Sequence, residues 1–218
     1  MSPCSSPKSA CSRKGGFTLI ELLAVIAIIA ILAGILLVVV KRVRDTAGNT
    51  ACMAGLRQIS NALLLYKADH RGSLPGRIFP RQGPFFDRDE RRLQNHLADY
   101  LGHTKSASWT ELSRADLWAC GTWWNAITND EIYSLAANQR VRHPTTGTLF
   151  DPWEKKELDM SGMGVRFATT WLLMEADRQL PVSDVRRMVP EPVHGRHRNA
   201  IFMDGHVRSI DVSESVVN

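Results

Sequence analysis

Glu21 stands alone beside the most apolar stretch of a 218-residue chain, and its surroundings ask for a chemical reason. From Leu22 to Val40 every side chain is apolar, counting Gly34. A carboxylate in hydrocarbon is costly unless a cation joins it, so an ionisable residue there marks a functional position. Arg13, Lys14, Gly15, Gly16 and Phe17 come shortly before it. A second set of reactive types lies near the other end: His194, His197, Asp204 and His206. Imidazole with carboxylate suits zinc if the four converge across a hairpin. The blander reading gives Asp204-Gly205 a turn and has His194 tie the preceding loop to a sheet, and no metal is assigned. There is no dense Asp/Asn loop for calcium and no nucleophile elbow to support a Ser-His-Asp assembly. No catalytic residue and no cofactor is therefore expected.

Of four cysteines, Cys4 and Cys11 precede Gly16, leaving Cys52 and Cys120 far apart in sequence. A disulfide between them fits an oxidising compartment; the alternative is two unpaired buried thiols, because sequence does not fix the Cα separation.

The elements that position these residues begin with the apolar run. From Phe17 to Val40 it holds seventeen Phe, Leu, Ile or Val residues. At about −0.3 to −0.6 kcal/mol each they outweigh the roughly +3 kcal/mol ceiling for one carboxylate at mid-membrane. The run is too long for an ordinary secretory signal, and a plain transmembrane anchor explains neither Glu21 nor the Gly-Gly pair. Basic residues flank both ends, Lys8, Arg13 and Lys14 before and Lys41, Arg42 and Arg44 after, so charge alone does not orient the span. Beyond Val40, apolar positions Val43, Ala47, Ala51, Ala54, Leu56, Ile59, Leu63 and Tyr66 recur mostly at three- or four-residue steps, which predicts one helix from Phe17 to about His70. Gly48 and Gly55 weaken it, at about 1 kcal/mol each relative to Ala.

This arrangement resembles the type IV prepilin signal: a basic leader ending in Gly, then Phe, then four residues on a Glu opening a long apolar helix. Lys14, Gly15, Gly16, Phe17, Thr18, Leu19, Ile20 and Glu21 supply it in order. The resemblance implies cleavage between Gly16 and Phe17 by a prepilin peptidase/methyltransferase, N-methylation of Phe17, and an assembly contact between Glu21 and the new N-terminal amine of a neighbouring subunit. A second block resembles pilin-like proteins with a C-terminal H-X9-DG element: Cys52, Leu56, Arg57, Gln58, Ile59, Tyr66, Leu74 and Pro75 match, with Gly55 where Asn is usual. His194, Asp204 and Gly205 stand at the spacing of that element. Many pilins carry a Pro inside the apolar helix; here Gly34 is the only breaker.

The expected fold is α+β and pilin-like, a long N-terminal helix on a small antiparallel sheet. Its expected parts are a leader over 1–16, a transmembrane or filament-core helix over 17–40, its continuation over 41–70, and an extracytoplasmic domain over 71–218. Within that domain, 87–101 predicts a second helix with Arg88, Arg91 and Arg92 on its wet face. Phe167 to Glu175 predicts a strand, and Asn199 to Met203 with His206 to Val212 a hairpin across Asp204-Gly205. Trp109, Trp118, Trp123, Trp124 and Trp153 are expected to fill a small core or a subunit contact; if exposed, they could form a sugar-binding surface.

Of 27 Lys and Arg, three lie before Phe17, leaving 24 against 22 acidic residues; nucleic-acid binding is not expected from so even a balance. The expected partners are the peptidase, other pilin-like subunits, the inner membrane and a secretion or pilus machinery. The expected function is a non-enzymatic subunit of a type II secretion or type IV pilus assembly. The alternative is a membrane-anchored module that binds a glycan, an exported protein or DNA.

Overall fold

The structure, a computed structural model, describes residues 18–86, 89–103, 113–127, 133–154, 157–180 and 185–214. The proposed leader, with Gly16 and the methylation residue Phe17, lies outside them, as do Asp87, Arg88 and Trp109. The chain divides into two compact units, Met1–Arg44 and Asp45–Asn218. Helix α1 (Leu19–Asp69) contains the division.

In the first unit α1 buries nothing. Its most apolar window has a mean hydropathy of 3.4 and is long enough to cross a membrane. Apolar side chains exposed on every face need lipid or other helices around them.

In the second unit α1 is amphipathic. Cys52, Leu56, Ile59, Ser60, Ala62, Leu63 and Lys67 are buried. This stripe corrects the expected one: Ala51 and Ala54 are exposed, because the helix turns its cysteine and Ser60 inward. Gly48 does not break the helix. A Cβ there would lie 2.8 Å from Thr122 Oγ1, so the glycine admits helix α3 (Gly121–Ala126) at close range.

The described residues contain nine strands: β1 (Arg81–Gln82), β2 (Phe85–Phe86), β3 (Ser113–Arg114), β4 (Leu135–Ala137), β5 (Val141–Arg142), β6 (Leu149–Phe150), β7 (Trp171–Glu175), β8 (His197–Phe202) and β9 (Val207–Asp211). Five form one antiparallel sheet in the order β1-β4-β7-β8-β9; β2 with β3 and β5 with β6 make two small pairs. The architecture is α+β with a pilin-like layout, a long apolar N-terminal helix and an antiparallel sheet.

One sheet face packs Leu135, Ala137, Leu173 and Ile201 against Leu56, Ile59 and Leu63 of α1. The other packs Ala136, Met174, Ala200 and Phe202 against Leu180 and Met188. A sheet covered on both faces reads as a continuous apolar run, and β7 reads WLLME. Its register shifts between Trp171 and Leu173, and it begins at Trp171 rather than at the expected Phe167, because the N–H groups of Thr169 and Thr170 donate to the Arg166 carbonyl and hold that stretch in a turn.

The second helix, α2 (Leu93–Leu101), starts six residues later than expected. Asp89 Oδ1 accepts the Arg91 N–H at 3.0 Å, and the Arg91 carbonyl accepts the Phe79 N–H at 2.9 Å, so the backbone before Leu93 is committed elsewhere. Buried Gln82 completes the start: its Oε1 accepts the Leu93 N–H at 3.0 Å. Arg91 and Arg92 precede α2 rather than lying on its face; both sit over the Phe79 ring with Arg91 still exposed, and Arg91 beside Asp89 holds that carboxyl below its usual range. Gly102, in the left-handed region at φ 67°, ends the helix.

A buried ion pair ties β8 to the segment after β7: Arg198 Nε and Nη2 donate to Asp177 at 2.5 and 2.9 Å, with side chains 4% and 1% exposed. Asp177→Asn leaves an uncompensated guanidinium in the interior and is expected to lower unfolding stability by about 3–5 kcal/mol. The denaturant midpoint of the full chain in detergent micelles checks this.

Candidate functional site

The N-terminal site is built by the first turn of α1. Thr18 precedes the helix, and Glu21 stands three residues later. The Thr18 N–H and hydroxyl donate to Glu21 Oε2 at 2.9 and 2.7 Å, and the Glu21 N–H donates to Thr18 Oγ1 at 3.3 Å. This is a reciprocal capping box, which satisfies donors that a helix start leaves without intrahelical partners. Glu21 thus has a local reason to stand where it does, and Thr18, named in the sequence only as part of the signal, has a capping role. The signal was legible as Thr-x-x-Glu ahead of an apolar run. Both bonds fall on Oε2; among the described residues Oε1 has no partner.

The second site is the seam between α1 and the C-terminal hairpin. Cys52 and Cys120 are joined by a disulfide, with Cα atoms 5.0 Å apart. Cys120 is the residue before α3, so the bond fastens α3 to α1. Closing a loop across 68 residues restricts the unfolded chain by an amount worth about 4 kcal/mol in the chain-entropy account.

Beside the disulfide lies a polar cluster. His194 Nε2 is 3.2 Å from Glu175 Oε1 and 3.8 Å from Cys120 Sγ. Glu175 Oε2 accepts the Asn199 N–H at 2.8 Å, and Asn199 Nδ2 donates to Glu175 Oε1 at 3.2 Å and to Asn49 Oδ1 at 2.7 Å. Asn199 therefore links β8 to both β7 and α1.

The hairpin tip makes another attachment. Ser60 Oγ donates to the Gly205 carbonyl at 2.6 Å. Asn49 and Ser60 are eleven residues apart on α1, about 16 Å at the helical rise, so the hairpin grips the helix at two levels. A two-residue Asp-Gly turn needs positive φ at both positions, and this turn is of another kind. Gly205 is at φ 92° and Asp204 is not in the left-handed region. Gly205 N–H donates to the Phe202 carbonyl and Phe202 N–H to the His206 carbonyl, both at 2.9 Å, which is a three-residue connection.

The structure separates the residues once grouped as a candidate zinc set. His194 joins Glu175, whereas Asp204 Oδ1 pairs with His206 Nδ1 at 2.6 Å and His197 is exposed. Asp204 shapes the turn by also accepting the His206 N–H at 3.1 Å. Trp118, Trp123 and Trp153 are buried and Trp124 is half-buried, so the stacking surface that the sugar-binding alternative needs is not made by these four. A cleft of about 360 Å³ lies over the seam, lined by Cys52, Gly55, Trp118, Cys120, Trp123 and Glu175 among others.

Residues 11–37 match the family model of the prokaryotic N-terminal methylation motif. The match takes in Gly16, Phe17, Thr18 and Glu21 and does not reach His194, Asp204 or Gly205. No curated protein and no solved structure matches the chain.

Gly205 meets two demands at once. A Cβ there would lie 3.0 Å from Leu64 Cδ1 and 3.3 Å from Ser60 Oγ, on a backbone that L-residues rarely adopt. Gly205→Ala is expected to destabilise the fold by about 1–2 kcal/mol from backbone strain alone, read as a lowered thermal midpoint. An unchanged midpoint would mean the tip does not seat on α1 as described.

Proposed function

With a prepilin-type signal at the head of the chain as premise, we propose that the protein is a pilin-like structural subunit of a type II secretion or type IV pilus-type assembly. The match over residues 11–37 carries this reading, together with an apolar helix that no other part of its own unit covers. In this account a prepilin peptidase/methyltransferase cuts between Gly16 and Phe17 and methylates Phe17. The apolar part of α1 then resides in the cytoplasmic membrane as a single span and transfers to a bundle of like helices on assembly. The second unit stands on the extracytoplasmic side, where an oxidising environment keeps the Cys52–Cys120 bond formed. The work is burial and release of apolar surface, and no catalysis is asked of the chain.

Glu21 has two partners in turn. In the free subunit it caps α1 through Oε2. In the assembly, Oε1 meets the N-terminal ammonium of a neighbour, a charge that cleavage at Phe17 creates. A carboxylate has roughly four acceptor sites, so the cap and the ammonium do not compete for the same one.

Mass spectrometry of the protein from its native membrane is expected to find a chain beginning at methylated Phe17; a retained first residue set 1–16 would overturn the reading. A pair of variants separates the two duties of Glu21. Thr18→Val removes the hydroxyl of the cap but leaves the carboxylate, and is expected to assemble. Glu21→Ala is expected to be cleaved normally and to be lost from filaments at least tenfold. Equal incorporation of both variants would reduce Glu21 to a helix cap.

A further inference from the structure

We propose that reduction of the Cys52–Cys120 bond converts the seam into a zinc site, with the two thiolates, His194 and Glu175 as ligands. Among the described residues these four alone form a group of metal-ligating types, and their ligand atoms all lie within 4.8 Å of one another. They come from four places in the fold: α1, the start of α3, the end of β7 and the loop before β8.

The spacing already approaches what the ion requires. Tetrahedral zinc with ordinary bond lengths holds nitrogen and oxygen ligands about 3.3 Å apart, and nitrogen and sulfur about 3.6 Å apart. The His194–Glu175 and His194–Cys120 separations are 3.2 and 3.8 Å. Only the sulfurs must move, from bonded contact to about 3.8 Å, which side-chain rotation supplies.

The surroundings resemble those of a held site. The His194 and Glu175 side chains are 4% and 12% exposed, and Asn199 fixes the carboxylate through its N–H and its side-chain amide. Such outer contacts orient ligands and raise affinity. The cleft, lined by Cys52, Cys120 and Glu175, provides an entry path. Two thiolates select zinc over calcium or magnesium.

The chemistry balances. A dithiol reductant gives two electrons and two protons to the disulfide, leaving two cysteine thiols and its own disulfide. Zinc then displaces both thiol protons, while neutral His194 binds through Nε2 with its proton on Nδ1. The ion with two thiolates and one carboxylate carries a net charge of −1. The covalent link between α1 and α3 is thus replaced by a metal link that also includes β7 and the loop before β8. The seam stays closed in both redox states, whether or not the chain assembles into filaments.

The test uses the full chain in detergent micelles, oxidised or reduced with a phosphine, titrated with Zn²⁺ and with Co²⁺ as a spectroscopic stand-in. The reduced chain is expected to bind one ion, with thiolate-to-cobalt charge transfer and the strong visible bands of tetrahedral cobalt; the oxidised chain is expected to bind none stoichiometrically. His194→Ala and Glu175→Gln are each expected to weaken binding at least tenfold, and the Cys52→Ser/Cys120→Ser double variant to abolish it. If reduction loosens the fold, recovery of the near-ultraviolet circular dichroism on adding zinc supports the site. A reduced chain that binds no ion, stays unfolded with zinc present, or binds equally well without His194 overturns the proposal.

Discussion

The second unit depends on one contact, the burial of a single stripe of α1 against the sheet. Leu56, Ile59 and Leu63 meet Leu173 and Ile201 in the same core. Each such side chain is worth about 1.5–3 kcal/mol when removed from water, so the stripe outweighs any single polar bond around it. A stripe of this kind fixes which way the helix faces but resists sliding along the axis only weakly. The directional bonds supply the register. The Cys52–Cys120 link, the Asn199–Asn49 bond and the Ser60–Gly205 bond hold α1 at separate points.

The polar cluster has a place in this arrangement. Glu175, His194 and Asn199 are largely buried, and each reaches a neighbour that a shifted hairpin would lose. Buried polar groups without partners are costly, so the cluster penalises wrong registers more than it rewards the right one. Asp177 and Arg198 act in the same way on the far face of the sheet. The H-X9-DG spacing acquires a physical meaning from this. His194 sits where the loop meets the disulfide and Gly205 where the turn meets Ser60, so the two ends of the segment secure the same hairpin at different heights. They do not form one site.

In the first unit the ordering is reversed, because a polar group sits where apolar surface dominates. Glu21 is made tolerable by the N–H and hydroxyl of Thr18, three residues away. That local solution leaves one carboxylate oxygen without a partner among the described residues, so the helix cap leaves room for the proposed assembly contact.

The sequence by itself determined the local features. The prepilin-type signal, the apolar span, the Cys pair as the only candidates for a bond after Gly16, and a hairpin around Asp204-Gly205 all follow from residue type and short-range spacing. Helix periodicity placed α1 to within about two residues, since propensity and the breakers after His70 act within a few residues of the chain. What only tertiary structure decided involves distant partners. α2 starts at Leu93 because Phe79 and Gln82 claim the groups before it; β7 is bulged by its pairing with β8; the short strands β1 and β4 join the sheet with too few residues to show a period. His194 turned to Glu175 and Cys120 rather than to Asp204 for the same reason. Those contacts exist only once the hairpin has docked on α1, and separations of 19 and 74 residues leave no trace in local pattern.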